Sequence, residues 1–239
     1  MRRPGSARLV ASAPFIARPG GALRSLTLTF GGELQAAGDF ARHLYTLGSV
    51  DLEASIFDGW TLGAGGDYVE DVVVEDFEVV RGVLARAGTW RGANLDVWLS
   101  SPSTRNPQVE LYYAVSNAYF GGVLHNPWAS LKASLGPHVR VELAADVYHV
   151  ELREYAPFWT AGVNALVRVT PSTNVQIDLL GRVNSDTESA IGMLRLRYRY
   201  LPGSDLFLVW REDVSWAFGN VVSERTITLK TTLRFDALL

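Results

Sequence analysis

Three arginines alternate with apolar residues in the segment MLRLRYRYLPGSDLFLVWRE, which covers residues 193–212. Arg195, Arg197 and Arg199 would lie on one face of a β-strand there, because successive side chains of a strand point to opposite faces. Guanidinium groups bind carboxylates and other oxyanions through charge-assisted hydrogen bonds. A strand with this spacing can therefore pair with acids on neighbouring strands or contact anionic solutes.

Charged residues recur at the same two-residue spacing in other apolar segments of the second half of the chain. We interpret them as one charged face, which lines a hydrated lumen if the strands close into a barrel. This face would either fill a narrow interior with ion pairs or favour anionic solutes. The predicted lumen-facing residues are Glu110, Lys132, Arg140, Glu142, Asp146, Arg168, Asp178, Arg195, Arg197, Arg199, Lys230 and Arg234.

Residue types that support catalysis do not come together in a recognisable motif. Cysteine is absent, which excludes thiolate metal sites and cysteine nucleophiles. The four histidines are far apart in the sequence, and His149 with Glu151 is the nearest approach to a pair of metal ligands. The glycine-rich stretch at 63–66 lacks the lysine of a phosphate-binding loop. We therefore expect no enzymatic activity, no metal and no cofactor.

The composition excludes two further classes of protein. The 239 residues carry a net charge of −3, so the sequence lacks the basic excess of a nucleic-acid-binding protein. Hydrophobic residues make up 48% of the chain, but no window approaches the roughly 18 apolar residues of a membrane-spanning helix. The sequence thus predicts no nucleic-acid partner and no helical membrane insertion.

Apolar and polar residues alternate with a period of two through most of the chain, which is typical of β-strands whose two faces meet different surroundings. The segment 58–91 fits either a further strand or an ordered loop. We predict about twelve strands, a number within the range of closed single-chain barrels. They cover 8–16, 23–30, 50–57, 93–100, 109–115, 131–135, 139–147, 163–169, 175–179, 194–200, 206–210 and 227–235.

Short and long connections are expected to alternate along the second half of the chain. The segments 136–138, 171–174 and 201–205 are rich in Pro, Gly, Ser and Asp, as tight hairpin turns are. The longer connections are predicted at 118–127, 149–160, 184–191 and 213–223. An antiparallel meander with one tight end and one elaborate end is typical of outer-membrane barrels.

Aromatic residues gather around the predicted long connections. In a membrane barrel, rings at strand ends form girdles at the two membrane–water interfaces. The predicted interfacial aromatics are Tyr119, Trp128, Tyr148, Trp159, Trp210 and Trp216.

A soluble antiparallel β-sandwich remains the alternative interpretation of the same alternation. Its apolar side chains would face a second sheet, and its charged face would be solvated. Trp128 and Trp159 would then lie in loops that could bind glycans. The two interpretations make opposite predictions for the leucines, which face hydrocarbon in a barrel and a protein core in a sandwich.

The facing of the arginine-rich strand is fixed if it crosses a bilayer. An arginine turned towards the middle of the membrane would cost roughly 2–4 kcal/mol, so the three arginines must face water. A one-residue slip in strand register would invert every side chain and is therefore not tolerated.

The carboxyl-terminal part of the chain resembles an uncharacterised bacterial outer-membrane barrel family. The resemblance rests on RLRYRYLPGSDLFLVWRE, on the loop that follows and on the final TITLKTTLRF strand. In that family the barrel usually follows a periplasmic module similar to family-nine carbohydrate-binding domains. The resemblance implies an antiparallel up-and-down transmembrane β-barrel, either whole or as the C-terminal portion of a larger barrel.

The predicted organisation is a single β-barrel domain over 23–239, preceded by a poorly defined segment, 1–22, that can supply one strand. The expected location is the bacterial outer membrane, where the partners are the lipid bilayer and the barrel-assembly machinery. A missing N-terminal portion or a partner chain would be needed if the sheet kept open edges. The predicted role is non-enzymatic: a channel, transport or surface function with a charged lumen.

Overall fold

A computed structural model describes residues 6–37, 43–80, 82–216 and 220–233, and these residues form an all-β protein, as predicted. A short 3-10 helix, Phe57–Gly59, follows the third strand. The strands are β1 (Ser6–Ala17), β2 (Leu23–Ala37), β3 (His43–Ile56), β4 (Thr61–Val73), β5 (Phe77–Val80), β6 (Val83–Ala85), β7 (Gly88–Ser100), β8 (Gln108–Tyr119), β9 (Gly122–Leu135), β10 (Val139–Glu151), β11 (Phe158–Ser172), β12 (Val175–Asn184), β13 (Ser189–Leu201), β14 (Ser204–Ser215) and β15 (Val222–Thr232).

Thirteen of these strands form one antiparallel sheet in which each strand pairs with the sheet strands that precede and follow it along the chain. The order runs from β1 through β4 to β7 and then to β15, while β5 and β6 form a separate two-stranded hairpin. Short connections between consecutive antiparallel strands produce this simple meander. No helix among the described residues is long and apolar enough to cross a membrane.

The sheet has one strand more than the alternation predicted. The added strand is β4, which pairs with β3 and β7 in the segment that fitted either a strand or a loop. Its alternation is hidden by Gly63 and Gly65, which leave room for side chains of the adjacent strands. A Cβ at Gly63 would lie 2.0 Å from the ring of Trp98, and one at Gly65 would lie 2.5 Å from the carboxylate of Asp51.

The strands are also longer than predicted, so several connections are shorter. The connection expected over 118–127 is a two-residue turn at Phe120 and Gly121, both with positive φ. The connection expected over 184–191 shrinks to 185–188. As a result, Trp128 and Trp210 lie near the middle of β9 and β14 rather than at strand ends.

The amino-terminal segment forms the edge strand β1, which pairs with β2 along its whole length. Pro14 lies within this strand, opposite Thr29. Proline cannot donate a backbone hydrogen bond and is tolerated in a sheet mainly at an edge. The position of Pro14 is therefore consistent with β1 being an edge strand of the sheet.

The chain divides into two compact units. Unit 1 comprises Met1–Ser103, Glu110–Trp128 and Val147–Trp159; unit 2 comprises Thr104–Val109, Ala129–Asp146 and Thr160–Leu239.

Unit 1 contains a small apolar core beneath the β5–β6 hairpin. Val83 of the hairpin is buried together with Val150 and Leu152. Tyr148 and Tyr155 pack against this cluster, and the hydroxyl oxygen of Tyr155 accepts a hydrogen bond of 3.2 Å from the backbone N–H of Leu84. Apolar burial and this hydrogen bond hold the hairpin against the strands.

The sheet of unit 2 has an apolar face with exposed side chains and a charged face with partly buried side chains. The strand registers place apolar side chains in continuous rows, since directly paired residues of adjacent strands share a face. One row is Val169, Ile177, Leu196, Leu208 and Leu229, and a second is Val167, Leu179, Leu194, Trp210 and Ile227. Leu179 is 53% exposed and Leu229 is 69% exposed, whereas Asp178 is only 2% exposed.

Substitution of Gly122 by alanine tests the close approach of β9 to the end of β10. A Cβ at this position would lie 2.1 Å from the backbone oxygen of Glu151, so Gly122→Ala should destabilise the protein by about 2 kcal/mol, as overpacking does. Gly192→Ala is the control, because a Cβ there has no neighbour within 4 Å. Denaturant unfolding followed by tryptophan fluorescence measures both, and equal stabilities would contradict the packing.

Candidate functional site

The most buried charged side chain of unit 2, Asp178, lies at the centre of the charged face. The register of β12 places it opposite Arg168 of β11 and Arg195 of β13. Arg168 donates from Nε to Oδ1 at 2.8 Å, and Arg195 donates from Nε to Oδ2 at 3.0 Å and also through its terminal nitrogen. Gln176 Nε2 lies 3.0 Å from both carboxylate oxygens. Two arginines thus share one carboxylate.

A second carboxylate, Asp205, is shared in the same way at the neighbouring hairpin. Arg197 binds it with two hydrogen bonds, from Nε to Oδ1 at 2.9 Å and from Nη2 to Oδ2 at 2.8 Å. Arg199 Nε lies 3.5 Å from Oδ1 of the same group. The Arg197 guanidinium also lies 5.8 Å from the centre of the Phe207 ring, a cation–π distance.

These two clusters carry four guanidinium groups on two carboxylates, so their summed charge is positive. Two other ion pairs of unit 2 each join one arginine to one acid. Arg140 pairs with Glu142 at 2.8 Å, and Arg211 pairs with Asp213 at 2.6 Å. The two clusters thus place an excess of positive charge on β11, β12, β13 and β14.

The structure brings together only part of the predicted charged set. Arg168, Asp178 and Arg195 meet directly, and Arg197 and Arg199 meet through Asp205. Arg140 and Glu142 pair with each other on β10. The others lie on different strands: Glu110 on β8, Lys132 on β9, Asp146 on β10 and Lys230 on β15. Arg234 lies outside the described residues.

Sequence reasoning missed Asp205 as a member of the site. This residue was assigned to a hairpin turn, although it belongs to the start of β14 and pairs with Arg199. A two-residue turn at Pro202 and Gly203 sets that register. Folding the hairpin around those two residues would have placed the aspartate opposite the arginine.

The predicted interfacial aromatics do not form one group. Tyr119 ends β8, Trp159 is the second residue of β11, and Trp216 follows β14 directly. Tyr148 packs against the core beneath the hairpin. Trp128 is half-buried and lies four residues before Lys132 in β9, so the two side chains point to the same face of the strand. Trp210 belongs to an apolar row of unit 2.

Histidines that are far apart in the sequence are neighbours on unit 1. The ring of His125 lies 5.9 Å from that of His149, which stacks on Trp159 at 4.2 Å. Tyr113 is hydrogen-bonded to His125 Nδ1 at 2.7 Å. His149 Nδ1 lies 3.7 Å from the Glu151 carboxylate, and the described residues contain no group of three or more ligands that could hold a metal ion.

Unit 1 also has an acidic patch and a small cavity. The carboxylates of Asp51 and Asp96 approach each other over Gly65. Near the hairpin, a cavity of about 210 Å³ is lined by Arg86, Trp90, Phe120, Leu152, Arg153 and Tyr155, among others. Its lining combines aromatic and charged groups.

The loop that carries the hairpin is fixed by Asp76. The backbone N–H of Ala87 donates to Asp76 at 2.7 Å, and the Arg86 guanidinium donates at 2.9 Å. These two donors stabilise the ionised carboxylate and lower the pKa of Asp76. Because this pKa is lowered in the folded state, the stability of the loop depends on pH.

Comparisons with known proteins give no further assignment. No protein-family model matches the sequence, and no curated protein matches it. A functional assignment therefore depends on the geometry of the two faces of the sheet.

Removal of the shared carboxylate should destabilise unit 2. Asp178→Ala leaves Arg168 and Arg195 without their common partner, and we expect a loss of about 2–3 kcal/mol. The loss should fall below the roughly 3–5 kcal/mol of a fully buried pair because both arginines are more than a third exposed. Asp213→Ala, which breaks a one-to-one surface pair, is the control and should have the smaller effect in denaturant unfolding.

The loop around Asp76 should loosen in acid. A depressed pKa in the folded state means that the stabilisation is complete above the pKa of unfolded aspartate, about 3.9. It is lost as the pH falls through the lower pKa of the folded group. Hydrogen exchange of segment 74–87, corrected for intrinsic rates, should be slow at neutral pH and faster in acid. In Asp76→Asn it should already be fast at neutral pH, and unchanged exchange in that variant would contradict the assignment.

Proposed function

We propose that the protein is a non-enzymatic β-barrel protein of the bacterial outer membrane, with a channel or transport role and a charged lumen. The observation that carries the proposal is the inverted exposure of β12, where Leu179 is 53% exposed and the adjacent Asp178 is 2% exposed. Water-soluble domains bury leucine and leave aspartate exposed. The inversion is expected when the apolar face lies in hydrocarbon.

The extent of the apolar face supports this proposal. The two apolar rows of unit 2 run across β11, β12, β13, β14 and β15 without a charged residue between paired positions. Contiguous apolar surfaces of this kind mark contact with a membrane or another protein. A bilayer would cover the rows on all five strands at once.

The strand lengths and order fit the same proposal. A transmembrane β-strand needs about 9–11 residues when it is tilted, and the thirteen strands of the sheet have between 10 and 15 residues. Consecutive pairing along the chain is the topology of up-and-down membrane barrels.

The alternative β-sandwich has less support. It would place the leucine rows against a second sheet, where they would be buried. In unit 2, the described leucines of these rows are between 36% and 69% exposed. The described residues contain one large sheet and one two-stranded hairpin rather than two large sheets. We therefore favour the barrel over a glycan-binding sandwich.

The proposed barrel requires at least one strand in addition to the thirteen of the sheet. Among the described residues, β1 and β15 each pair with a single neighbour. Bacterial single-chain barrels have even numbers of strands, and lipid does not tolerate an open sheet edge. A further strand, from another part of the protein or from a partner chain, would give an even number. The lipid bilayer and the barrel-assembly machinery are the other partners that the proposal requires.

Two neighbouring positions of β15 test which face contacts lipid. Leu229 belongs to an apolar row, and Thr228 pairs with Val209 on the other face. In phospholipid vesicles, Leu229→Arg should destabilise the folded protein by roughly 2–4 kcal/mol if the position lies near the bilayer midplane. Thr228→Arg, which adds the same charge at the same depth, should have little effect. Urea unfolding in vesicles and heat-modifiable gel mobility measure both.

The stabilities of the two variants show whether Leu229 contacts lipid or water. Because Leu229 is 69% exposed, its replacement by arginine in a water-soluble protein should change stability by about 0.5 kcal/mol at most. Equal behaviour of the two variants, together with a monomer that stays soluble without detergent, would refute the proposed function.

A further inference from the structure

We propose that the charged face of unit 2 binds a small oxyanion, a carboxylate or a phosphate, at the arginines of β13. This inference rests on the proposed function and deepens it, because it gives the proposed channel an anionic solute. The site consists of Arg195 and Arg197, which lie on the same face of β13, together with Arg168 and Arg199.

The first argument is the exposure of the charges. In the Asp178 cluster, the arginine side chains are 36% and 37% exposed, whereas the aspartate side chain is 3% exposed. In the Asp205 cluster, the arginines are 31% and 43% exposed and the aspartate is 14% exposed. The guanidinium groups thus cover the carboxylates. A solute that approaches this surface meets positive charge.

The second argument is the number of hydrogen-bond donors. An arginine carries about five N–H donors, and a carboxylate has about four acceptor sites. Gln176 also donates to Asp178 and so occupies part of its capacity. Two carboxylates cannot accept all the donors of four arginines. The remaining N–H groups can bind water or an oxyanion.

The third argument is the spacing of the arginines. Arg195 and Arg197 are two residues apart on one strand, which separates their Cα atoms by roughly 7 Å. Two guanidinium groups at this spacing can contact one carboxylate or phosphate from both sides through the N–H groups that do not bind Asp178 or Asp205. Lys230, which lies opposite Phe207 in β15, adds a further positive charge to this face.

The phosphate affinity of the arginine variants tests the site directly. The full chain, folded in detergent, is titrated with inorganic phosphate by isothermal titration calorimetry at low ionic strength. We expect binding that weakens about tenfold or more in the double variant Arg195→Gln/Arg197→Gln, since charge-assisted hydrogen bonds are lost. Arg211→Gln is the control, because Arg211 forms an ion pair with Asp213 outside the proposed site. Phosphate should bind this variant as tightly as the unchanged protein.

An aspartate variant makes the opposite prediction. Asp178→Asn removes a negative charge that partly neutralises Arg168 and Arg195, so phosphate should bind several-fold more tightly. A merely structural role of the cluster predicts weaker binding in this variant, because the arginines would lose their orientation. If the double arginine variant does not fold, Arg199→Gln replaces it and should weaken binding about threefold.

The outcomes for the site and for the proposed function are distinguishable. Absence of phosphate binding in the folded chain, or binding that is equal in the arginine variants and the control, would overturn the anion site. Conductance across planar lipid bilayers tests the channel separately. A channel that conducts but does not bind phosphate would support the proposed function and reject this inference. Phosphate binding without conductance would support this inference and reject the channel role.

Discussion

The structure depends on one constraint: each strand of unit 2 must satisfy two different surroundings with alternate side chains. Asp178 shows how strong this constraint is, because a carboxylate at the least exposed position of β12 is stable only with donors from both adjacent strands. Its neighbour Leu179 points to the opposite face and remains exposed. Register, ion pairing and facing are therefore determined together, since a shift by one residue would separate the ions and exchange the two faces.

The clusters around Asp178 and Asp205 connect neighbouring strands, and the proposed anion site would use the same arginines. Each carboxylate holds two arginines in place, so the arginine side chains lose less freedom when they meet a solute. Each carboxylate is also covered by the arginines that it orients. The arrangement presents positive charge to the surroundings while the negative charge remains inside the protein.

The alternation of apolar and charged residues was sufficient to predict the strands and the common face of Arg195, Arg197 and Arg199. It failed at β4, where glycines replace the side chains that would have shown the period. It also failed for contacts that depend on the register between strands. Asp205 required the exact length of a turn, and the contact between His125 and His149 required the pairing of two strands. Single-strand patterns contain no information about such neighbours.

The β5–β6 hairpin constrains the order in which unit 1 can fold. Leu84 hydrogen-bonds to Tyr155, which is 71 residues further along the chain, and Val83 packs against Val150. Contacts of such long sequence separation form late, since a large loop must close first. The hairpin can therefore complete its packing only once residues 150–155 are in place beside it. Docking of the hairpin would thus mark a late step in the assembly of unit 1.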